Sequence, residues 1–337
     1  MRYRTLGRTG LNVSLLSFGS GGPSKLGQNT GLSSNEQNDL IRQVLDLGIN
    51  FIDSSEGYGD SEEILGRGLE GIARDSYFIA TKGMCRDRHG KLRDPKKFSA
   101  AIDKSLKRLG TDYIDVMQFH LLNMDDYDGV VDTLYPVMEK AREEGKIRFI
   151  GFSEQYKIEP DHRTVTHALK THPHLWDTIM LKYGILNQYA AKEALPLAQE
   201  NNVGIINMAV IREKLPKPKL LGDQIKAWKS EGLISHDALD DSNPLGWLIK
   251  GEVRSVVDAG YIFASEHPGV STVLTGTSSI SHLQNNVRAL QLPNLPESDT
   301  HALKRLFGDI AVSVSYTHLR AHATLRYLVC RLLLEKK

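Results

Sequence analysis

Short apolar runs alternate with helix-length amphipathic segments along most of the chain, and this alternation restricts the fold more than any other feature. Strand-like runs fall at Ser14–Phe18, Ile49–Ile52, Tyr77–Thr81, Ile114–Phe119, Ile147–Phe152, Thr178–Tyr183, Val203–Met208 and Thr272–Leu274. Helical patterns follow at Asn35–Leu47, from Asp60 towards Gly71, and at Pro95–Leu109, Gly129–Glu144, Thr164–Lys170, Ala190–Asn201 and Ile280–Leu290. Strands that alternate with helices pair in parallel, and eight of them predict closure into a (β/α)8 TIM barrel. Met1–Val13, with Gly7 and Gly10, reads as a β-hairpin that plugs the barrel's lower end. At 337 residues the chain is ample for one such domain, assigned to residues 1–312.

Three of the runs end on titratable residues. Ile49–Ile52 leads to Asp53, Tyr77–Thr81 to Lys82, and Ile114–Phe119 to His120. Gly57 and Gly59 flank Tyr58, so the backbone there can bend and lift the phenol clear. Asp60 with Glu63 resembles a capping box, Ile64, Leu65 and Leu69 share one helical face, and Gly71 stops the helix. In parallel α/β folds ligands bind at the carboxyl ends of the strands.

An acid, a phenol, an amine and an imidazole on that rim suit proton transfer to a carbonyl oxygen. A phenol with its ordinary pKa of about 10 is a poor acid near neutrality. A nearby ammonium favours the phenolate and makes the phenol a better donor. A carboxylate beside the amine keeps it charged, and an imidazole N–H can polarise the same oxygen. Singly, each residue has a plain structural reading as a cap, a solvated lysine or a core histidine. Their convergence is what points to chemistry.

The stretch GINFIDSSEGYGDSEEILGRGLEG and the opening YRTLGRTGLNVSLLSFGSG resemble the aldo-keto reductases, and the similarity runs from about Tyr3 to about Phe307. The resemblance implies a nicotinamide-dependent enzyme whose catalytic tetrad is Asp53, Tyr58, Lys82 and His120. It also implies cofactor contacts at Gly19 and Ser20, at Ser153 for the nicotinamide amide, and at Gly276, Thr277, Ser278, His282 and Asn286 for the adenosine phosphate. Several positions depart from the family pattern. Glu154 stands where an asparagine is usual, Met180 where a glutamine is, and Met208 where the side chain that stacks on the nicotinamide is often aromatic. The basic residues that commonly grip the 2′-phosphate are replaced by Ser278 and His282, so NADP(H) is expected to be only weakly preferred, with NAD(H) possible.

The expected reaction is hydride transfer between the nicotinamide and an aldehyde or ketone, or the corresponding alcohol, possible sugars included. The alternative is a non-catalytic nicotinamide-binding regulatory subunit. The long interval Arg212–Pro244 reads as a lid over the cofactor, with a solvated surface insertion as the other reading.

A net charge of +1 gives no reason to invoke nucleic acid or an anionic membrane as partner. No window approaches the roughly 20 apolar residues that span a bilayer, and MRYRTLG lacks an apolar signal core, which predicts a cytoplasmic protein. Cys85 and Cys330 form neither a disulfide framework nor a zinc pattern. His162, His167, His172 and His174 do not share a helical face, so no metal is expected and they read as surface histidines. From Ser313 the composition turns abruptly basic. Residues 313–337 read as a non-native tail, with a basic amphipathic helix as the alternative.

Overall fold

The computed structural model describes residues 1–211 and 213–312. The basic tail, and Arg212 at the head of the long interval, lie outside the described residues.

Two short strands, β1 (Tyr3–Thr5) and β2 (Asn12–Ser14), form an antiparallel ribbon. It closes one end of a barrel built from β3 (Leu16–Gly19), β4 (Phe51–Asp53), β5 (Phe78–Met84), β6 (Ile114–Leu122), β7 (Ile147–Glu154), β8 (Thr178–Leu181), β9 (Gly204–Asn207) and β10 (Thr272–Thr275). Each strand pairs in parallel with the next, and β10 pairs back onto β3. Leu6, Leu11 and Val13 of the ribbon pack with Phe51, Ala80, Val116, Met180 and Ile206 as the lower interior of the barrel. Gly7 makes the closure possible: its φ is +50°, and a Cβ there would lie 2.2 Å from the backbone nitrogen of Gly204.

The outer layer comprises α1 (Ser34–Asp46), α2 (Ser61–Gly68), α3 (Pro95–Leu109), α4 (Met124–Gly129), α5 (Tyr135–Glu143), α6 (Arg163–Thr171), α7 (Ala194–Glu200), α8 (Pro218–Ser230), α9 (Val256–Glu266), α10 (Ile280–Ala289) and α11 (Glu297–Phe307). Their apolar faces and the outward residues of the strands make one large core. Helices on the outside and side chains within bury the strands on both faces, so that eight of the nine residues of β6 are buried. Among the described residues no helix is long and apolar enough to cross a membrane.

Three local readings are corrected, and helices α8, α9 and α11 were not expected. The helix expected at Gly129–Glu144 starts earlier, at Met124, and passes through a π-helical turn at Val130–Leu134 before α5. Asp60 precedes α2 but makes no side-chain capping bond, because its backbone is not extended; its N–H donates instead to Gln28 Oε1 at 3.0 Å. That helix ends at Gly68, and Gly71 forms the turn beyond it. The interval Arg212–Pro244 holds α8, whose Leu221, Ile225 and Trp228 are buried, with the Trp228 ring 5.9 Å from that of Phe307. In α9 the stretch Asp258–Ser265 is buried throughout, so no polar stripe marks the helical period.

Candidate active site

The parallel register carries Asp53, Lys82 and His120 to the carboxyl end of the barrel. Asp53 pairs with Ala80, Lys82 with Gln118, and Met84 with His120, so the three side chains come from adjacent strands. Lys82 Nζ donates to Asp53 Oδ2 and to the Ser54 carbonyl, both at 2.6 Å, and is fully buried. Gln118 Nε2 approaches Asp53 Oδ1 at 3.4 Å from below. Burial pushes the Asp53 carboxyl above its ordinary range, against the pull of Lys82 and Gln118. Burial works against the Lys82 charge too, but the Asp53 carboxylate and the Tyr58 hydroxyl outweigh it and hold the amine above its usual value. Two short oxygen contacts on one nitrogen hold Lys82 as the ammonium.

Tyr58 stands on the loop after β4. Its ring centroid lies 5.0 Å from Lys82 Nζ and 5.5 Å from the His120 ring, which it meets edge-on at 82°. Gly21 lies flat against it: a Cβ there would fall 2.5 Å from Tyr58 Cε2. The loop is held from both sides. Gln28 Nε2 donates to the Tyr58 carbonyl at 3.2 Å and to Ser61 Oγ at 2.9 Å. On the other side Glu56 pairs with Arg93 and accepts the Met84 N–H at 2.7 Å.

His120 lies within the break in the β6–β7 ladder between Phe119 and Leu122, where Leu121 takes φ +61° and donates its N–H to Ser153 Oγ at 3.1 Å. Such a bulge re-aims the neighbouring side chain. Burial, reinforced by the Lys82 charge, lowers the His120 pKa to about 3, so the imidazole is neutral through the physiological range. Its Nδ1 lies 3.0 Å from Ser55 Oγ.

The other sequence-derived positions divide into those on the rim and those turned inward. Gly19 and Gly276 stand at or just beyond the ends of the paired strands β3 and β10, and Ser20 is buried with its hydroxyl on Ser54 Oγ at 2.9 Å. Ser278 Oγ accepts from Thr30 Oγ1 at 2.9 Å, Thr277 Oγ1 caps the Ser279 N–H, and His282 is exposed in the first turn of α10. Glu154 is fully buried: Oε1 accepts the Lys182 N–H at 2.9 Å and Oε2 lies 2.7 Å from His162 Nδ1. Asn286 is turned in as well, donating to Thr275 Oγ1 at 2.9 Å. Met180 belongs to the lower interior, and Met208 packs partly buried against the same cluster.

His162 is therefore not a surface histidine, since the buried Glu154 carboxylate draws it inside. His167 and His172 pack on the Tyr127 ring, and among the described residues no group of histidine, cysteine or acidic side chains could hold a metal ion. Gln28, Ser55, Glu56, Arg93 and Gln118 escaped the sequence reading. Gln118 lay within a recognised strand and Ser55 and Glu56 within the quoted stretch around Tyr58, while Gln28 and Arg93 carry no motif of their own.

The family model described as the aldo/keto reductase family matches residues 16–307. L-galactose dehydrogenase of Arabidopsis thaliana is 30% identical over 308 residues, covering 86% of this chain and 88% of that protein. The NADH-specific methylglyoxal reductase of Escherichia coli is 26% identical over 334 residues, covering 91% and 98%. Among solved structures, the holo form of an aldo-keto reductase from Bacillus halodurans aligns with a TM-score of 0.69 at 25% identity, covering 95% of this chain and 99% of that one.

Proposed function

The chain belongs to the aldo/keto reductase family, an NAD(P)-dependent oxidoreductase of carbonyls and alcohols, and from that premise we propose how its own residues divide the work. Tyr58 is the general acid in reduction and the general base in oxidation. It gives its phenolic proton to the carbonyl oxygen, or takes one from the alcohol. Lys82 stabilises the negative charge left on the phenolic oxygen. Asp53 and the Ser54 carbonyl hold that ammonium charged and aimed. His120, neutral at physiological pH, orients the substrate by donating a hydrogen bond and takes no proton itself. The bound nicotinamide supplies the hydride; position and electrostatics are the protein's part.

The observation that carries this reading is the contact set around Lys82, with a carboxylate at 2.6 Å on one side and the phenol ring at 5.0 Å on the other. The assembly of all four groups in one site favours an enzyme over a nicotinamide-binding regulatory subunit. Gly276, Thr277, Ser278 and the N-terminus of α10 are the positions we assign to the cofactor's phosphate, at a helix start rich in hydroxyls. Gly19, Ser20, Ser153 and Met208 are the positions we assign to the nicotinamide end. No lysine or arginine stands among these positions, which supports only a weak preference for NADP(H). Relatives that act on a sugar and on a small dicarbonyl support a small polar carbonyl or hydroxyl compound as substrate.

Tyr58→Phe tests the central assignment. Turnover should fall at least about a hundredfold, the scale of general acid catalysis, while the cofactor dissociation constant stays within about twofold. Near-normal turnover would remove Tyr58 from the role.

A further inference from the structure

We propose that Gln28 is a positioning residue for proton transfer: its side-chain amide reaches from the loop after β3 to the loop after β4 and holds Tyr58 in place beside Lys82. This role depends on the one assigned above to Tyr58 as proton donor.

Gln28 is half-buried and uses both ends of its amide. Oε1 accepts the Asp60 N–H at 3.0 Å, and only the oxygen can meet that donor, so the orientation of the amide is fixed. Nε2 then has two protons for three acceptors: the Lys25 carbonyl at 2.9 Å, Ser61 Oγ at 2.9 Å and the Tyr58 carbonyl at 3.2 Å. Lys25 lies in the same loop as Gln28 and takes at most one of them. At least one proton therefore crosses to the Tyr58 loop. Ser61 has a single proton of its own, and either direction for it keeps the loops joined. It reaches the Tyr58 carbonyl at 2.9 Å, which extends the bridge to Tyr58, or the Ser20 carbonyl at 3.1 Å, which ties the two loops a second time.

The chain on both sides of this bridge is shaped to admit it. Gly59 takes φ +64°, and a Cβ there would lie 2.6 Å from Gln28 Oε1, so the residue after Tyr58 must be bare for the amide to reach Asp60. Gly21, at the head of the Gln28 loop, rests against the Tyr58 ring itself. One loop thus limits both the backbone and the ring of the proton donor. That loop is strained into its shape. Lys25 and Leu26 take left-handed φ of +42° and +54°, which is unfavourable for residues with a Cβ and clusters at functional sites, and the Leu26 side chain is anchored in the core. A proton passes only within hydrogen-bond reach, so a shift of the phenol by about 1 Å can slow the step by up to about a hundredfold.

Single-turnover reduction of methylglyoxal, an activated carbonyl, by the full-length protein loaded with reduced nicotinamide tests this in light and in heavy water. Gln28→Met keeps the bulk of the side chain and none of its hydrogen bonds. Gln28→Asn keeps the amide one methylene short of the Tyr58 loop. In each the rate should fall about tenfold or more, with the cofactor dissociation constant within about twofold of wild type. The solvent isotope effect should rise, because proton transfer becomes the slower part of the step. A role confined to keeping the loop folded would lower the amplitude or the melting temperature and leave the isotope effect at its wild-type value. Asn29→Ala, which removes a bond to the Pro23 carbonyl within the same loop, is the control and should match wild type. An unchanged isotope effect in Gln28→Met, or an equal change in Asn29→Ala, overturns the proposal. If Gln28→Met does not fold, Gln28→Asn decides on the same terms. The role of Tyr58 is tested apart: near-normal turnover in Tyr58→Phe removes the donor itself, whereas failure at Gln28 alone leaves Tyr58 in its role.

Discussion

Lys82 Nζ sits 2.6 Å from Asp53 Oδ2 with neither side chain open to water, so each charge depends on the other for its solvation. Removing one partner from such a pair strands a charge and costs about 3–5 kcal/mol, whereas removing both can cost less. Asp53→Asn and Lys82→Met should each lower unfolding stability by about that amount. The double variant should be less destabilised than the sum of the two. Urea titrations of the four proteins give the coupling, and additive losses would show that the pair is not the buried unit described.

Glu154 should prove to be a structural bolt. Its two oxygens are already taken by the Lys182 N–H and His162, which leaves little for a nicotinamide amide. His162→Ala leaves a buried carboxylate short of a partner and should cost about 1–3 kcal/mol of stability. Glu154→Gln should leave the cofactor dissociation constant within about threefold. A tenfold weakening, measured by fluorescence titration, would return Glu154 to the cofactor contacts.

Cofactor choice should be weak. With hydroxyls and backbone N–H groups at Thr277 and Ser278, and only His282 able to add a cation, NADP(H) should be favoured less than about tenfold, or ~1.4 kcal/mol. His282→Arg should strengthen it at pH 7.5. Dissociation constants for both cofactors in the wild type and in His282→Arg check this, and an unchanged preference would exclude His282.

Mild acid should destabilise the fold through two histidines. Burial, the leading cause in both, lowers the pKa of His120 to about 3 and of His267 to about 4. In the unfolded chain both rings protonate near their ordinary value of about 6.5. Between those limits the unfolded state binds more protons, so stability rises with pH. It is full above about 6.5 and declines as pH drops towards 4. His267→Gln should flatten the decline seen in urea midpoints at pH 4.5, 5.5 and 7. An unchanged slope would mean that His267 titrates alike in both states.

What could be read in advance was what local chain chemistry controls. Asp53, Lys82 and His120 announced themselves because each ends an apolar run, and strand ends in a parallel barrel share one rim. Tyr58 announced itself through its flanking glycines. The partners that aim these groups did not. Gln28 reaches Tyr58 across thirty residues, and Arg93 reaches Glu56 across thirty-seven, from loops with no period to mark them. His162 has the spacing of a surface residue, and only the fold shows the buried carboxylate that draws it in. Helix α9 was missed for the opposite reason, since a segment buried on nearly all sides has no polar stripe to mark its period.

The closure of β10 onto β3 sets an order of events during synthesis. Every residue of the candidate catalytic set has left the ribosome by His120, yet the edge of β3 stays unpaired until Thr272–Thr275 arrives. For most of translation the nascent chain therefore carries an incomplete sheet with open hydrogen-bonding edges, a template for pairing with other chains. The last quarter of the chain contributes no tetrad residue, but it decides whether the first third reaches its active form or aggregates. Yield in a host should thus respond to translation speed and chaperone supply more sharply than the stability of the finished barrel would suggest.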